Sequence, residues 1–296
     1  MSIHINNVTK KYGNVRVLDS ITFEIPQNTI TAIVGKNGSG KTTLIKCLST
    51  LLIFDSGKIS ILGESVEQKN FNIIRNTISV CLNEGKNLYL NLTLIQNIEY
   101  FLEINNNSFN DNAEEIDHLL EIFRINEYRN VIVAKMSSGN KQKINLIIAL
   151  IKNASVLILD EPNSGLDIES LNTLKIILKE QKKEKTIIIT SHDLNLIEDI
   201  SDEIVIISNG QLKYKGTIND LYYNQIFIET DKNISEKVLN AMKQFGEISY
   251  CGDNKFHITT NKSNLDSIFK ILINNRYIIE DFKINNISQE ILRYLS

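Results

Sequence analysis

Cysteine is too scarce in this chain to organise its fold. The three cysteines, Cys47, Cys81 and Cys251, are widely spaced and odd in number. A disulfide framework needs paired cysteines, and a zinc site needs clustered ones. The sequence therefore indicates neither.

Long apolar runs and an excess of one charge are also missing. No apolar stretch approaches the roughly 18 residues of a membrane helix, and the N-terminus lacks the pattern of a signal peptide. We therefore expect a soluble subunit. The 32 Lys and Arg nearly balance the 35 Asp and Glu, for a net charge of −3, which offers no general attraction to nucleic acid. With 296 residues, 42% of them hydrophobic, the chain can form one large core and a small second domain.

A glycine-rich segment follows the apolar run Thr29–Val34. It spans Gly35–Thr43, reads GKNGSGKTT, and has the spacing of a P-loop (Walker A motif). Its glycines let backbone N–H groups converge on phosphates, and the helix that follows adds its positive dipole end. Lys41 offers a charge to the outer phosphates and Thr42 a hydroxyl to Mg²⁺. A turn that binds nothing is the alternative. The nucleotide-binding residues predicted here are Gly35, Asn37, Gly38, Ser39, Gly40, Lys41, Thr42 and Thr43.

An acidic pair ends a second apolar run. The segment Ala154–Pro162 reads ASVLILDEP, so Asp160 and Glu161 follow a predicted strand. Asp160 can hold Mg²⁺, and Glu161 can polarise an attacking water. A solvated strand end is the alternative interpretation. The Asn-Lys-x-Asp motif of guanine specificity is absent, which argues against a GTPase.

Three further segments narrow the class of protein. Met136–Lys143 reads MSSGNKQK and precedes an apolar helical run. Asn163–Asp167 reads NSGLD and follows the acidic pair. Thr186–Asp193 reads TIIITSHD, a predicted β-branched strand with His192 just after it. With the two segments above, their order over residues 1–217 resembles that of the ATP-binding subunits of ABC transporters. Five ordered motifs make this resemblance specific.

The resemblance implies further roles for single residues. Ser137, Ser138 and Gly139 would cap the ATP of a second subunit, so that hydrolysis requires a dimer. Asp167 would belong to the loop that follows the acidic pair, and His192 would sense the γ-phosphate. Tyr12 lies where the family stacks an aromatic ring on adenine, although an isolated Tyr is more often a packing residue.

The sequence departs from the family at two of these places. Asn83 or Glu84 occupies the position of a glutamine, and Asn83 could still bind Mg²⁺ beside Thr42 and Asp160. Ser138 replaces a glycine where a backbone normally approaches phosphate. Neither change removes the lysine, the acidic pair or the histidine, so we expect hydrolysis.

The predicted fold class is α/β: a P-loop NTPase core of the ABC-ATPase type, with an antiparallel β subdomain and a helical subdomain. This core would cover residues 1–217, with its helical subdomain at about 93–150. Residues 218–296 would form a small accessory domain, because their pattern reads β-α-β-β-α-β and predicts a ferredoxin-like α+β fold. A final helix is predicted at Ser288–Leu295, and His257 is predicted to be a surface residue. The domain would stabilise a dimer by packing or, alternatively, have a regulatory role.

The expected function is ATP hydrolysis that powers export through a separate membrane permease, at the cytoplasmic face of the membrane. The expected partners are permease subunits and a second ATPase, identical or different, and no nucleic acid. The segment Asn83–Asn97, with Leu88, Tyr89, Leu90 and Leu92, is predicted to dock on the permease, or alternatively to be a buried strand. The functional alternatives are an ABC ATPase unconnected with transport and a weakly hydrolysing nucleotide switch.

Overall fold

The computed structural model describes residues 2–82, 88–105, 107–152, 154–221, 224–252, 254–260 and 264–284, together with 291, 294 and 295. The chain divides into two compact units, Met1–Lys215 and Gly216–Ser296. Each unit has its own hydrophobic core. Across the described ranges, no helix has both the length and the apolar character needed to cross a bilayer.

The first unit alternates strands and helices along most of its length. Its strands are β1 (Ile3–Tyr12), β2 (Val15–Ile25), β3 (Ile30–Val34), β4 (Ser56–Ile61), β5 (Glu64–Ser65), β6 (Ile78–Cys81), β7 (Val156–Asp160), β8 (Thr186–Thr190), β9 (Glu203–Ser208) and β10 (Gln211–Thr217). Its helices are α1 (Lys41–Leu48), α2 (Phe71–Thr77), α3 (Leu94–Glu103), α4 (Ala113–Ile122), α5 (Ser138–Ile151), α6 (Ile168–Gln181) and α7 (Leu194–Ile200).

A six-stranded sheet forms the centre of this unit, with the strand order β10-β9-β3-β8-β7-β6. The strands β9, β3, β8, β7 and β6 pair in parallel. Every residue of β3, β7 and β8 is buried, as expected for strands whose two faces are both covered. Because these strands are parallel, their carboxyl ends lie at one edge of the sheet. The polar segments that follow β3, β7 and β8 therefore meet there.

A smaller antiparallel sheet, with the order β2-β1-β4-β5, packs beside the central one. Along β2, apolar side chains at Ile21, Phe23 and Ile25 alternate with exposed neighbours, as in a strand with one face on the core. The buried face shares a hydrophobic cluster with α1. This packing brings β2 close to the start of α1.

The helical part of the unit has clear start signals. At the start of α3, the Thr93 hydroxyl accepts from the N–H of Gln96, and the Gln96 side chain accepts from the N–H of Thr93, which forms a capping box. Along α4 the stripe predicted to be core is confirmed: Ile116, Leu120 and Phe123 are fully buried. Helix α5 begins after Ser137, whose hydroxyl caps it.

The second unit contains the strands β11 (Asn224–Thr230), β12 (Glu247–Tyr250), β13 (Lys255–Thr260) and β14 (Ile279–Ile284), and the helices α8 (Ile218–Leu221), α9 (Glu236–Lys243) and α10 (Leu265–Asn274). The strand order is β12-β13-β11-β14, and all the pairs are antiparallel. Together with the β-α-β-β-α-β chain order, this is a ferredoxin-like arrangement. The helix predicted at Ser288–Leu295 lies mostly outside the described residues.

The prediction that His257 is a surface residue was wrong in part. Its ring is half buried and lies 5.5 Å from the ring of Phe227 on the neighbouring strand. The Nδ1 atom is buried and has no hydrogen-bond partner among the described residues. Strand alternation places His257 on the face opposite the core, but that alternation does not reveal how much of the ring its neighbours cover.

We expect Ile188→Ala to lower the free energy of unfolding by about 2 to 5 kcal/mol, the usual range for deleting a large buried aliphatic side chain. Ile188 is fully buried on β8, opposite Thr31 of β3 and Ile158 of β7. The matched control is Ile176→Ala on α6, where the side chain is 70% exposed, and a change within about 0.5 kcal/mol is expected there. Urea denaturation followed by circular dichroism measures both, and equal losses in the two variants would contradict this account of the core.

Candidate nucleotide-binding site

The glycine-rich segment after β3 has a backbone that only glycine tolerates easily. Gly38 and Gly40 have φ angles of 79° and 107°, in the left-handed region that other residues rarely adopt. A Cβ atom on Gly40 would lie 2.6 Å from the carbonyl oxygen of Val17 on β2. The chain therefore turns tightly against β2 and enters α1 directly, so the N–H groups of the first helical turn face the loop.

Lys41, the first residue of α1, is folded back into this loop. Its side chain is buried, and Nζ donates to the carbonyl oxygens of Gly35 at 2.7 Å and Lys36 at 3.2 Å. Burial lowers the pKa of Lys41, while the nearby Glu161 and Asp160 carboxylates act in the opposite direction. The Lys41 ammonium group therefore already places a positive charge inside the loop.

Ser39 adds a buried polar atom to the same loop. Its hydroxyl oxygen has no hydrogen-bond partner within the described part of the chain. A buried hydroxyl without a partner is costly unless a ligand supplies one. This hydroxyl lies away from the cavities at the loop, so the fit to a phosphate group rests on the Lys41 charge and the N–H groups at the start of α1.

Two oxygen ligands suited to Mg²⁺ lie next to each other. The Thr42 hydroxyl donates to Asp160 Oδ2 at 3.2 Å, and the Thr190 hydroxyl donates to the other oxygen of the same carboxylate. A hydroxyl beside a carboxylate matches the oxygen ligands that Mg²⁺ prefers, with waters and phosphate oxygens in the other positions. The described residues form no group of three or more His, Cys, Asp or Glu that could hold a metal by themselves. Asn83, the third predicted ligand, lies outside the described residues.

Glu161 and His192 form a close pair at the same edge of the sheet. Nδ1 of His192 lies 2.7 Å from Oε2 of Glu161, and the backbone N–H of His192 donates to the same oxygen at 3.3 Å. The His192 side chain is 72% exposed, whereas that of Glu161 is only 14% exposed. The carboxylate is therefore held on one side by the histidine.

The backbone at Glu161 is strained. Its φ angle is 48°, which a non-glycine residue adopts only when its surroundings hold it there. The N–H of Glu161 donates to both the carbonyl oxygen and the hydroxyl of Thr190, each at 3.0 Å. Strain of this kind costs about 1 to 3 kcal/mol and is typical of functional sites.

These residues line one cavity of about 340 Å³. It is lined by Val17, Asn37, Gly38, Gly40, Lys41, Thr42, Thr43, Asp160 and Glu161. An adjoining cavity is lined by Gly35, Lys36, Asn37, Glu161 and His192. Most of the predicted site residues thus converge on one volume, as expected where parallel strands end.

The other predicted site residues lie elsewhere. Ser137 is the N-cap of α5, where its hydroxyl accepts from the N–H of Asn140 at 3.2 Å, and Ser138 and Gly139 form the first turn. Asp167 is the N-cap of α6. Tyr12 ends β1 with 52% of its surface exposed, and Lys10 Nζ lies 5.8 Å from the centre of its ring. Among the described residues, neither these nor Ser39 line the two cavities.

Two residues of the site were missed in the sequence. Thr190 holds both acidic residues, because its hydroxyl donates to Asp160 and accepts from Glu161. Val17 lies on β2, far from the glycine-rich segment in sequence, yet its carbonyl oxygen lies against Gly40. The position of Thr190 at the carboxyl end of a buried strand was a usable signal. Nothing in the sequence marked Val17, because its contact depends on how the two sheets pack.

The loop geometry and the acidic pair at the sheet edge define a P-loop nucleotide-binding protein of the NTPase class. The chain belongs to the ABC transporter ATP-binding family. The model of that family, described as ABC transporter, matches residues 18–164. Members of this family bind ATP and are ATPases coupled to transport, and their domains pair as dimers that work with membrane permease components.

Individual relatives agree with this membership. An uncharacterized ABC transporter ATP-binding protein of Methanocaldococcus jannaschii, MJ1023, is 32% identical over 228 residues, which are 77% of this chain and 82% of that protein. The sulfate/thiosulfate import ATP-binding protein CysA of Mesostigma viride is 34% identical over 229 residues, which are 75% of this chain and 64% of that protein. A dimeric structure of the ATP-binding cassette MJ0796 in a post-hydrolysis state, bound to ADP and phosphate, has the same fold. Its TM-score is 0.67 at 21% identity, covering 73% of this chain and 98% of that one.

These comparisons confirm the predicted fold class and family, but they leave the direction of transport open. The sequence pointed to an exporter, whereas the relatives include an import protein.

We expect Lys41→Ala to weaken ATP binding by about 10- to 100-fold, because hydrogen bonds to a charged group contribute about 1.5 to 3 kcal/mol. Titration with a fluorescent ATP analogue measures the affinity. The matched control is Lys183→Ala, which removes an exposed lysine paired with Glu180 and should leave the affinity unchanged. Wild-type affinity in the Lys41 variant would show that phosphate binds elsewhere.

Proposed function

We propose that this chain binds Mg²⁺ and ATP in the cavity after β3 and uses hydrolysis to drive a separate membrane permease. The observation that carries the proposal is the meeting of Lys41, Thr42, Asp160, Glu161 and His192 at one edge of the sheet. Thr42 and Asp160 would hold Mg²⁺, which neutralises charge that develops on the phosphates. The glycine-rich loop and Lys41 would bind the phosphate chain.

Glu161 is the residue we assign to water activation. In this step, water attacks the γ-phosphorus, the bond from the γ-phosphorus to the bridging oxygen breaks, and ADP leaves. Glu161 would orient the water and accept its proton. His192, 2.7 Å from the carboxylate, would set its direction and contact the γ-phosphate. The hydrogen bonds from the Glu161 N–H to Thr190 and the contact with His192 support this role, because they hold the residue at the end of β7.

We also propose that ATP brings two subunits together, identical or different. In this arrangement, Ser137 and the first turn of α5, with Ser138 and Gly139, would contact the ATP of the partner. The N-terminus of this 14-residue helix offers N–H groups and a positive dipole end. Asp167, at the N-terminus of α6, would lie close to the same interface. Tyr12 is exposed enough to stack on adenine.

The permease surface that we propose is the exposed part of the segment before α3. The alternative, a buried strand, does not match the structure, because residues 88–92 form turns. Tyr89 and Leu90 are each 49% exposed, and Leu88 is buried. The Tyr89 ring lies against those of Tyr100 and Phe101, at 4.7 and 6.0 Å. Exposed aromatic clusters of this kind are typical of interaction sites.

A buried asparagine holds this segment in place. Asn97 on α3 accepts from the N–H of Tyr89 at 2.7 Å and donates to the carbonyl oxygens of Tyr89 at 3.0 Å and Thr93 at 2.9 Å. With three hydrogen bonds, the amide of Asn97 holds the backbone of Tyr89 and Thr93 at the start of α3. The Tyr89 hydroxyl also donates to that of Tyr100 at 3.0 Å. A segment held in this way loses less conformational entropy when a partner binds.

The surface adjoins a cleft between the sheet and α3. This cavity of about 300 Å³ is lined by Phe101 and Leu102 on one side and by Ser79 and Cys81 of β6 on the other. Strand β6 pairs with β7, which ends at Asp160. A partner that enters the cleft would therefore contact a strand adjacent to the one that carries the acidic pair.

Export, at the cytoplasmic face of the membrane, is the direction that we propose. The support is the second unit, because its ferredoxin-like strand order resembles the C-terminal extensions of some ABC exporter ATPases. Transport into inside-out vesicles that carry the permease tests the direction, since ATP added outside then reaches this chain. Substrate loss from such vesicles would contradict export.

We expect Glu161→Gln to keep ATP binding and to lower steady-state turnover by about 100-fold or more, the usual contribution of a general base. The amide keeps the size of the side chain but cannot accept the proton. A dimer should accumulate with ATP and separate from the monomer in size-exclusion chromatography. Glu184→Gln, a substitution of an exposed surface carboxylate, is the matched control and should turn over normally. Normal turnover in the Glu161 variant would remove this residue from the mechanism.

Tyr89→Glu should weaken co-purification with the permease while ATP binding persists, because a charge enters the aromatic cluster and the nucleotide site is untouched. Pull-down of a tagged chain from detergent-solubilised membranes measures the association. Tyr250→Glu is the control, since Tyr250 is equally exposed, at 50%, on the second unit. Retention of the permease by the Tyr89 variant would place the contact elsewhere. Loss of ATP binding would mean that Tyr89 supports the fold instead.

A further inference from the structure

The Asp160 carboxylate lies between two hydroxyl groups that come from different elements. The Thr42 hydroxyl, on α1, donates to Oδ2 at 3.2 Å, and the Thr190 hydroxyl, at the end of β8, donates to Oδ1. Asp160 is only 3% exposed, so these side chains rather than bulk water surround its oxygens. The two oxygens of one carboxylate therefore have different neighbours.

The two hydroxyl groups also differ in their position relative to the cavity. Thr42 lines the cavity of about 340 Å³ together with Asp160. Thr190 is fully buried, and it is not among the described residues that line this cavity. Oδ2 of Asp160 therefore lies on the cavity side of the carboxylate, and Oδ1 lies on the side of the sheet.

The direction of the Thr190 hydroxyl is determined by its partners. The N–H of Glu161 can only donate, so it takes a lone pair of this hydroxyl, at 3.0 Å. An ionised carboxylate can only accept, so the single hydroxyl proton goes to Oδ1 of Asp160. Threonine is stiff at χ1, and the parallel register places Thr190 opposite Asp160. Oδ1 is therefore engaged by a hydroxyl that has little freedom to turn away.

An engaged Oδ1 affects which cation the carboxylate can bind well. Mg²⁺ requires near-ideal octahedral geometry at about 2.0 to 2.1 Å, whereas Ca²⁺ takes about six to eight oxygens and accepts both oxygens of one carboxylate. With Oδ1 bonded to Thr190, Asp160 offers a cation one oxygen in a fixed direction. This arrangement suits Mg²⁺ and is unfavourable for two-oxygen binding of Ca²⁺.

We propose that Thr190 is a specificity-determining residue for the cation, because its hydroxyl keeps Asp160 from offering both oxygens and so favours Mg²⁺ over Ca²⁺. This inference rests on the proposed function, in which Thr42 and Asp160 hold the cation. Thr190 acts through Asp160, so it is a positioning residue. The same hydroxyl holds the N–H of Glu161, so the cation ligand and the residue assigned to water activation share one anchor.

The test compares Thr190→Val with Thr190→Ser in the full chain. Valine keeps the branched shape but has no hydroxyl, whereas serine can still donate to Asp160. Mn²⁺ bound to the chain with ADP is displaced by Mg²⁺ or by Ca²⁺, and electron paramagnetic resonance measures the Mn²⁺ released. ADP without protein gives the background for each cation.

For Thr190→Val we expect the affinity for Mg²⁺ to fall about tenfold, the usual effect of removing a hydrogen-bond partner of a metal ligand. The affinity for Ca²⁺ should fall by about twofold or less, because both oxygens of Asp160 become available to it. The preference for Mg²⁺ over Ca²⁺ thus decreases about fivefold or more. Thr190→Ser should keep the wild-type preference.

The matched control is Thr186→Val, at the other end of β8. Thr186 is also buried, and its hydroxyl accepts from the N–H of Asn28 at 3.2 Å. This variant should keep the wild-type preference. ADP affinity in EDTA checks that each variant folds. In Thr190→Val the N–H of Glu161 keeps the carbonyl oxygen of residue 190 as acceptor, at 3.0 Å. If this variant does not bind ADP, Thr190→Ala replaces it, with the same shift in preference expected.

Three results would overturn the inference: an unchanged preference in Thr190→Val or its alanine replacement, an equal shift in Thr186→Val, or a shift of the same size in Thr190→Ser. The proposed function fails separately, because wild-type Mn²⁺ affinity in Asp160→Asn would reject the cation site itself. Weakened Mn²⁺ binding in Asp160→Asn, together with an unchanged preference in Thr190→Val, would reject the role of Thr190 alone.

Discussion

The parallel pairing of β3, β8 and β7 is the constraint on which the site depends. Each of these strands ends in a polar segment, and the pairing brings the three ends together. One result of this pairing is the hydrogen bond from the Thr42 hydroxyl to Asp160, although the two residues are 118 positions apart in the chain. The strands are fully buried, so their backbone hydrogen bonds have no competition from water and the edge is rigid. The glycine-rich loop after β3 and the acidic pair after β7 therefore lie side by side.

The buried core and the sheet edge in front of it differ in their local energetics. The core behind the edge is made mostly of buried aliphatic side chains, with Phe23 and Cys47 among them. At the edge itself, the backbone of Glu161 is strained and Ser39 has an unpartnered buried hydroxyl. The packing of the surrounding sheet offsets local costs of this kind.

Helix α5 links this edge to the rest of the first unit. Its N-terminus is capped by Ser137, its second turn is paired with Asp167 through Lys143, and its later turns are buried among apolar side chains. Backbone contact, a hydrogen bond and an ion pair join the start of this helix to the loop of residues 162–167.

The sequence by itself determined the family, the P-loop, the acidic pair and the order of the elements, because glycine spacing and buried strands have local patterns that can be read directly. The helical pattern of α4 and the ferredoxin-like order of the second unit also followed from periodicity. Only the tertiary structure decided the contacts between distant segments: Val17 against Gly40, Thr190 holding both acidic residues, and Lys143 paired with Asp167. Each of these depends on which face of one element packs on another, and the half-buried ring of His257 does so too. Sequence periodicity gives the buried face of an element but not its neighbours, and that is the physical reason these contacts could not be predicted.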